Sequence, residues 1–301
     1  MSFIISIPEL RIRGISAEMS YHSLIMLLSH EIRHLCQKYP SESIADIKAY
    51  PLHICKRIIK QARTIDTVIT VCKDYVSANA LIRNLADSIS ILILIYKNSV
   101  NDELFLRHYL YIMDGLHQRL RQLPIELKKD EHINDEEFQL LQHQVTSAKM
   151  NYEEAYQTCK QEIKKLAIYA SNQERIDKLL EKDQWKYKSL DKCGTYKWSN
   201  MYELLDLKAN AFFSNLSEFV HGLSTSNLII KDEYETYYPL YCITICLLGK
   251  VKECIESIYT NDMDELKPKL ISMLSDPELS LTCFPKFASE FEYKQHSKND
   301  K

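Results

Sequence analysis

Two pairs of polar residues sit in apolar sequence with a four-residue spacing that stacks each pair on one helix face. Arg83 and Asp87 fall within ANALIRNLADSISILILIYK (residues 78–97), a stretch apolar almost all the way round. Ser217 and His221 fall within NLSEFVHG (residues 215–222). Cleaving RNA through its 2′-hydroxyl needs a group to take that proton and a cation to hold the charge developing on the phosphate. Neutral histidine suits the first task and arginine the second. The chemistry expected of the four is phosphodiester cleavage, with His221 as general base and Arg83 as phosphate clamp. Asp87 would orient one of them and Ser217 would donate a hydrogen bond. The rival reading is structural. A buried ion pair seldom recovers its desolvation cost, so the same four residues would form a hydrogen-bonded cluster holding two helices in register.

Lys56, Arg57, Lys60 and Arg63 follow at spacings of one, three and three residues. On a helix they make one positive edge, suited to RNA phosphates or simply to solvent. His30-Glu31-Ile32-Arg33-His34 is a literal H-E-x-x-H, the pattern that sets two imidazoles on one helix face for zinc with a glutamate as general base. Arg33 puts a charge inside that motif, and the nearest further ligands, Glu42 and Asp46, lie past Pro40. The motif therefore reads as the polar flank of an amphipathic helix, and no metal is assigned. Cys242, Cys246 and Cys254 have no matching second pair and read as small buried hydrophobes. The five glycines stand alone, without a phosphate-cradling loop or a nucleophile elbow, so no cofactor is expected.

The elements that must position these residues are helices. Five glycines in 301 residues compare with roughly twenty at average usage, and a sheet protein needs them at its turns. No proline stands between Pro124 and Pro239. The fold class is all-α, a multi-helix bundle with a helical insertion. Helices are expected at 17–39, 51–75, 78–97 with Ser77 as cap, and about 102–123 capped by Asn101 or Asp102. More are expected at 135–170, 172–184, 200–223, 232–259 with a bend at Pro239, and 261–275, where Pro268 should break or begin the helix. The expected organisation is an arm at 1–15, a first half of the bundle at 16–123, an insertion at 124–197, a second half at 198–276 and a tail at 277–301.

Net charge is −3 with 26% charged residues, which gives no global field toward nucleic acid or membrane. The longest apolar run, Ile89–Tyr96, falls short of the ~20 residues of a membrane crossing, and no membrane partner is expected. Nine cysteines without a secretory leader read as free thiols in a reducing compartment, so the expected location is cytoplasmic.

Arg83-Asn-Leu-Ala-Asp87, Ser217-Glu-Phe-Val-His221 and the lead-in TIDTVITVCKDYVSANAL (residues 64–81) together resemble a bacterial family of all-helical proteins. That family carries Arg-x-x-x-Glu on an early hydrophobic helix and Ser-x-x-x-His ending a later one. The resemblance spans roughly residues 50–100 and 198–225, with Asp87 in place of the usual glutamate. Such proteins are similar to the HEPN (higher eukaryotes and prokaryotes nucleotide-binding) superfamily, helical bundles that often cleave RNA without a metal in toxins and phage defence. The superfamily's usual signature, an arginine and a histidine on one helix with four to six residues between them, is absent: Ser214, Asn215 and Leu216 hold the arginine's positions before His221. The resemblance implies a cytoplasmic HEPN-like protein of bacterial defence or toxin type, a homodimer, with RNA and a protein of the same system as partners. The alternative is a non-catalytic helical interaction module or complex subunit.

Overall fold

The computed structural model describes residues 17–124, 126–130, 132–191, 194–208, 210–221 and 234–275; at residues 19, 218, 221, 234–236 and 270–275 it describes the backbone alone. The protein is all-α, a multi-helix bundle. Its α-helices are α1 Ala17–Lys38, α2 Tyr50–Thr67, α3 Tyr75–Leu92, α4 Asn101–Gln122, α5 Asp135–Lys165, α6 Ala167–Leu180, α7 Trp198–Met201, α8 Asn210–His221, α9 Tyr234–Ile258 and α10 Thr260–Ser275. Among the described residues the one β feature is an isolated bridge between Tyr187 and Thr195.

The chain divides into two compact units. Of the described residues, 17–40, 51–92 and those from 205 onward make the first, and 41–50 with 93–204 make the second. In the first unit α3 packs against α8 and α9, while α1 packs against α9 and α10. Ala78, Ile82, Leu85, Ala86 and Ile89 of α3 are wholly buried, while Ser77 and Asn84 on the same helix are exposed. With the π turn that follows it, α3 spans Tyr75–Lys97, and its most apolar window has a mean hydropathy of 1.5, so the span is long and apolar enough by composition to cross a membrane. The run Ile89–Tyr96 understates that length. Of the most apolar window of this span 67% is buried inside the protein, the setting of a core helix.

In the second unit α4 packs on α5 and α6, and α5 on α6. Leu106, Leu110 and Met113 of α4 are wholly buried, so α4 clusters with the 124–197 segment, although the sequence places it in the first half of the bundle. The helix α5 is amphipathic on a narrow stripe: Cys159 and Ile163 are its buried residues, and Leu140 and Met150 are exposed.

Several helix ends differ from expectation. Ser77 does not cap α3; it lies inside the helix, and Asp74 accepts its N–H at 3.0 Å and its hydroxyl at 2.5 Å. At α4 the residue before the helix is extended Val100, and Asp102 turns its carboxylate to the N–H of Ile168, 2.9 Å away. It thereby satisfies one of the open donors at the start of α6. Asn134 and Glu137 form a reciprocal capping box on α5. Helix α9 continues through Pro239, as expected, and α10 runs through Pro268 rather than breaking or beginning there.

Candidate functional site

Arg83 of α3 is 9% exposed and reaches across to α8. Its Nε donates to Ser217 Oγ at 3.2 Å, joining residues 134 positions apart, and its Nη1 pairs with the Asp87 carboxylate one turn along α3. Asp87 keeps 24% of its side chain exposed. Aromatic rings fix the crossing: Tyr75 of α3 meets Phe219 of α8 edge-on at 6.0 Å and Tyr237 of α9 at 6.1 Å. Tyr237 in turn donates its hydroxyl to the Lys73 carbonyl at 2.7 Å. Three of the four residues read as a cluster thus converge. The fourth, His221, ends α8 one turn beyond Ser217, and its side chain lies outside the described residues. The arrangement gives a guanidinium whose plane is set by a carboxylate and a hydroxyl.

A second polar feature of the same unit is a cleft of about 540 Å³ lined by α1 and α2. Lys56, Lys60 and Arg63 line it, and Arg33 of α1 joins them over a floor formed by Ile32 and Ile59. Among the described residues that line it there is no carboxylate, and Arg63 donates to Ser29 Oγ at 3.0 Å. Arg57 is exposed but does not line the cleft. In the sequence Arg33 stands only as a charge inside H-E-x-x-H, with nothing to tie it to the basic residues of α2. Helical register across two separate helices was the missing information.

The H-E-x-x-H residues point apart. Glu31 is 2% exposed, faces Lys252 of α9 at 3.8 Å, and burial raises its carboxyl pKa. His34 lies 3.7 Å from Glu265 of α10, while partial burial and then Arg33 lower the pKa of His30. Among the described residues no three His, Cys, Asp or Glu side chains are placed to hold a metal ion. Cys242 and Cys254 are buried and Cys246 half-buried, and burial pushes the thiols of Cys242 and Cys246 upward, away from the reactive thiolate.

The second unit holds polar groups that the sequence did not single out. His108 is wholly buried, with Nε2 2.7 Å from the Ile44 carbonyl and Nδ1 2.7 Å from the Tyr96 hydroxyl. A carbonyl only accepts, so Nε2 carries the proton and Nδ1 accepts from Tyr96, which makes the ring a neutral tie. Burial lowers its pKa to about 4. Arg107, 3% exposed, donates to the Tyr187 carbonyl at 2.7 Å and to Glu103 at 2.8 Å, and lies 3.9 Å over the Tyr187 ring. His117 pairs through Nδ1 with Asp183 at 2.7 Å.

Compared with protein-family models, with curated proteins and with solved structures, the chain gives no match in any of the three.

Proposed function

We propose that this chain is an RNA-binding helical protein of HEPN-like type that cuts the RNA it holds. The observation that carries the reading is the α1–α2 cleft, where four cations from two helices line one depression with no carboxylate among the described lining residues. Such a surface takes a chain of phosphates, and its aliphatic floor gives a base an apolar surface to lie on. The lining has no aromatic ring for stacking, so the cleft would bind through the backbone rather than read sequence. The Arg83–Asp87–Ser217 cluster supports the cleaving half: a guanidinium held in one plane is ready for a phosphate, and His221 follows Ser217 by one turn on the same helix. His221 would take the 2′-hydroxyl proton while Arg83 holds the phosphate oxygens.

A labelled single-stranded RNA, followed by fluorescence anisotropy and by gel, tests both halves. Lys60→Glu with Arg63→Glu should weaken binding at least tenfold without moving the melting temperature by more than a few degrees. His221→Ala should abolish cleavage and leave binding intact. Equal binding by the parent and the charge-reversed protein ends the RNA reading. If RNA binds but His221→Ala cuts as well as the parent, the cluster holds α3 to α8 and nothing more.

A further inference from the structure

Asp183, in the turn that follows α6, is 3% exposed, and its backbone sits in the left-handed region at φ 47°. Left-handed backbone is uncommon outside glycine and is kept where the surroundings hold a side chain to one direction. Both carboxylate oxygens are used: Oδ2 faces His117 Nδ1 of α4 at 2.7 Å, and Oδ1 accepts the Tyr156 hydroxyl of α5 at 2.8 Å. Because a carboxylate accepts, Nδ1 carries a proton, and in the neutral ring Nε2 is then the nitrogen with the lone pair. The Tyr156 ring meets the imidazole edge-on at 6.2 Å, and burial followed by the Asp183 bond keeps its phenol protonated as donor. Unlike the carboxylate that holds it, the His117 side chain is 40% exposed.

That ring lines a cleft of about 670 Å³ together with Leu120, Met150, Glu153, Glu154 and Tyr156. The size is that of a small-molecule site. Its formal charges are those of Glu153 and Glu154, so it repels phosphate and admits a neutral or positively charged ligand. A carboxylate–imidazole pair that fixes one tautomer of the neutral ring beside a cavity is the arrangement of a general base.

We propose that His117, positioned by Asp183, is the general base of a second site that hydrolyses small carboxylic esters of neutral or positive charge. Nε2 takes a proton from water as the water oxygen bonds to the ester carbonyl carbon. The tetrahedral intermediate then breaks its bond to the alkoxy oxygen, and the imidazolium returns the proton to that oxygen, releasing acid and alcohol. Water is the sole co-reactant. His117 is the catalytic residue and Asp183 a positioning residue. The site lies in the second unit and makes no use of the basic cleft, so it stands or falls apart from RNA binding.

Hydrolysis of 4-nitrophenyl acetate by the full-length chain is the test. General bases contribute about 10²–10⁴-fold, so His117→Gln should lose at least tenfold, whereas His143→Gln, on α5, should lose nothing. His117→Gly should regain activity with added imidazole, a rescue that a merely structural histidine does not give. Asp183→Asn should lower kcat with KM unchanged. Met150→Trp, at a position 64% exposed on the cleft wall, puts an indole into the cavity and should abolish turnover whether or not the His117 variants fold. A parent no faster than the same concentration of free imidazole, or full activity in Met150→Trp or in folded His117→Gln, overturns the proposal.

Discussion

His108 shows how one buried side chain sets a pH limit. Its ring is neutral in the folded protein because desolvation disfavours the charged form, while the unfolded chain binds a proton at the ordinary value of 6.5. As pH falls from 6.5 toward 4 the unfolded state takes up that proton first, so this group's contribution is full above 6.5 and fades on the acid side. Between pH 7 and pH 5 the loss should be on the order of 2 kcal/mol. Both tryptophans of the chain, Trp185 and Trp198, belong to the same unit as His108, so their fluorescence in urea titrations reports on it directly. The prediction is that His108→Gln lowers stability at pH 7 and flattens the pH dependence; an unchanged slope would refute it. Nothing in the sequence marks His108 off from the other nine histidines. Its partners, Ile44 and Tyr96, lie 64 and 12 positions away, and only folding gathers them.

Helices were legible where their signals are local. The spacing of Tyr21, Ile25, Leu28, Ile32 and Leu35 marks α1, and all five are buried. Asn134 and Glu137 mark the start of α5 by a spacing that needs no tertiary information. Asp102 is the instructive difference. Read along the chain it caps α4, yet its carboxylate reaches the N–H of Ile168 in α6, 66 positions later. Asp102→Ala should therefore cost about 1 kcal/mol, within the roughly 0.5–2 kcal/mol of a lost cap. Asp102→Asn, which keeps an acceptor oxygen, should recover most of it. Tryptophan fluorescence in urea again reads the result, and an alanine variant as stable as the parent would show that the bond adds nothing.

At the scale of the chain, net charge and local charge give different answers. A net charge of −3 predicts no attraction to nucleic acid, and the α1–α2 cleft nonetheless brings four cations together. If the cleft holds RNA by these four, the logarithm of affinity should fall with the logarithm of salt at a slope of about −3, from roughly 0.7 per phosphate on a single strand. Lys60→Glu with Arg63→Glu should flatten that slope. A binding constant that ignores salt would place the RNA elsewhere or nowhere.

Composition and period determined the all-α class: scarce glycine denies a sheet its turns, and apolar spacing near 3.6 residues buries a helix stripe whatever its neighbours are. The same patterns singled out Arg83 and Asp87, because charge inside an apolar helix is visible in one dimension. The meeting of Arg83 with Ser217 across α3 and α8, the addition of Arg33 to the basic cleft, the reach of Asp102 to α6 and the pairing of His117 with Asp183 came from the fold. Each joins groups tens of positions apart, and which side chain lies opposite which is set by how helices cross, a quantity that no local pattern carries.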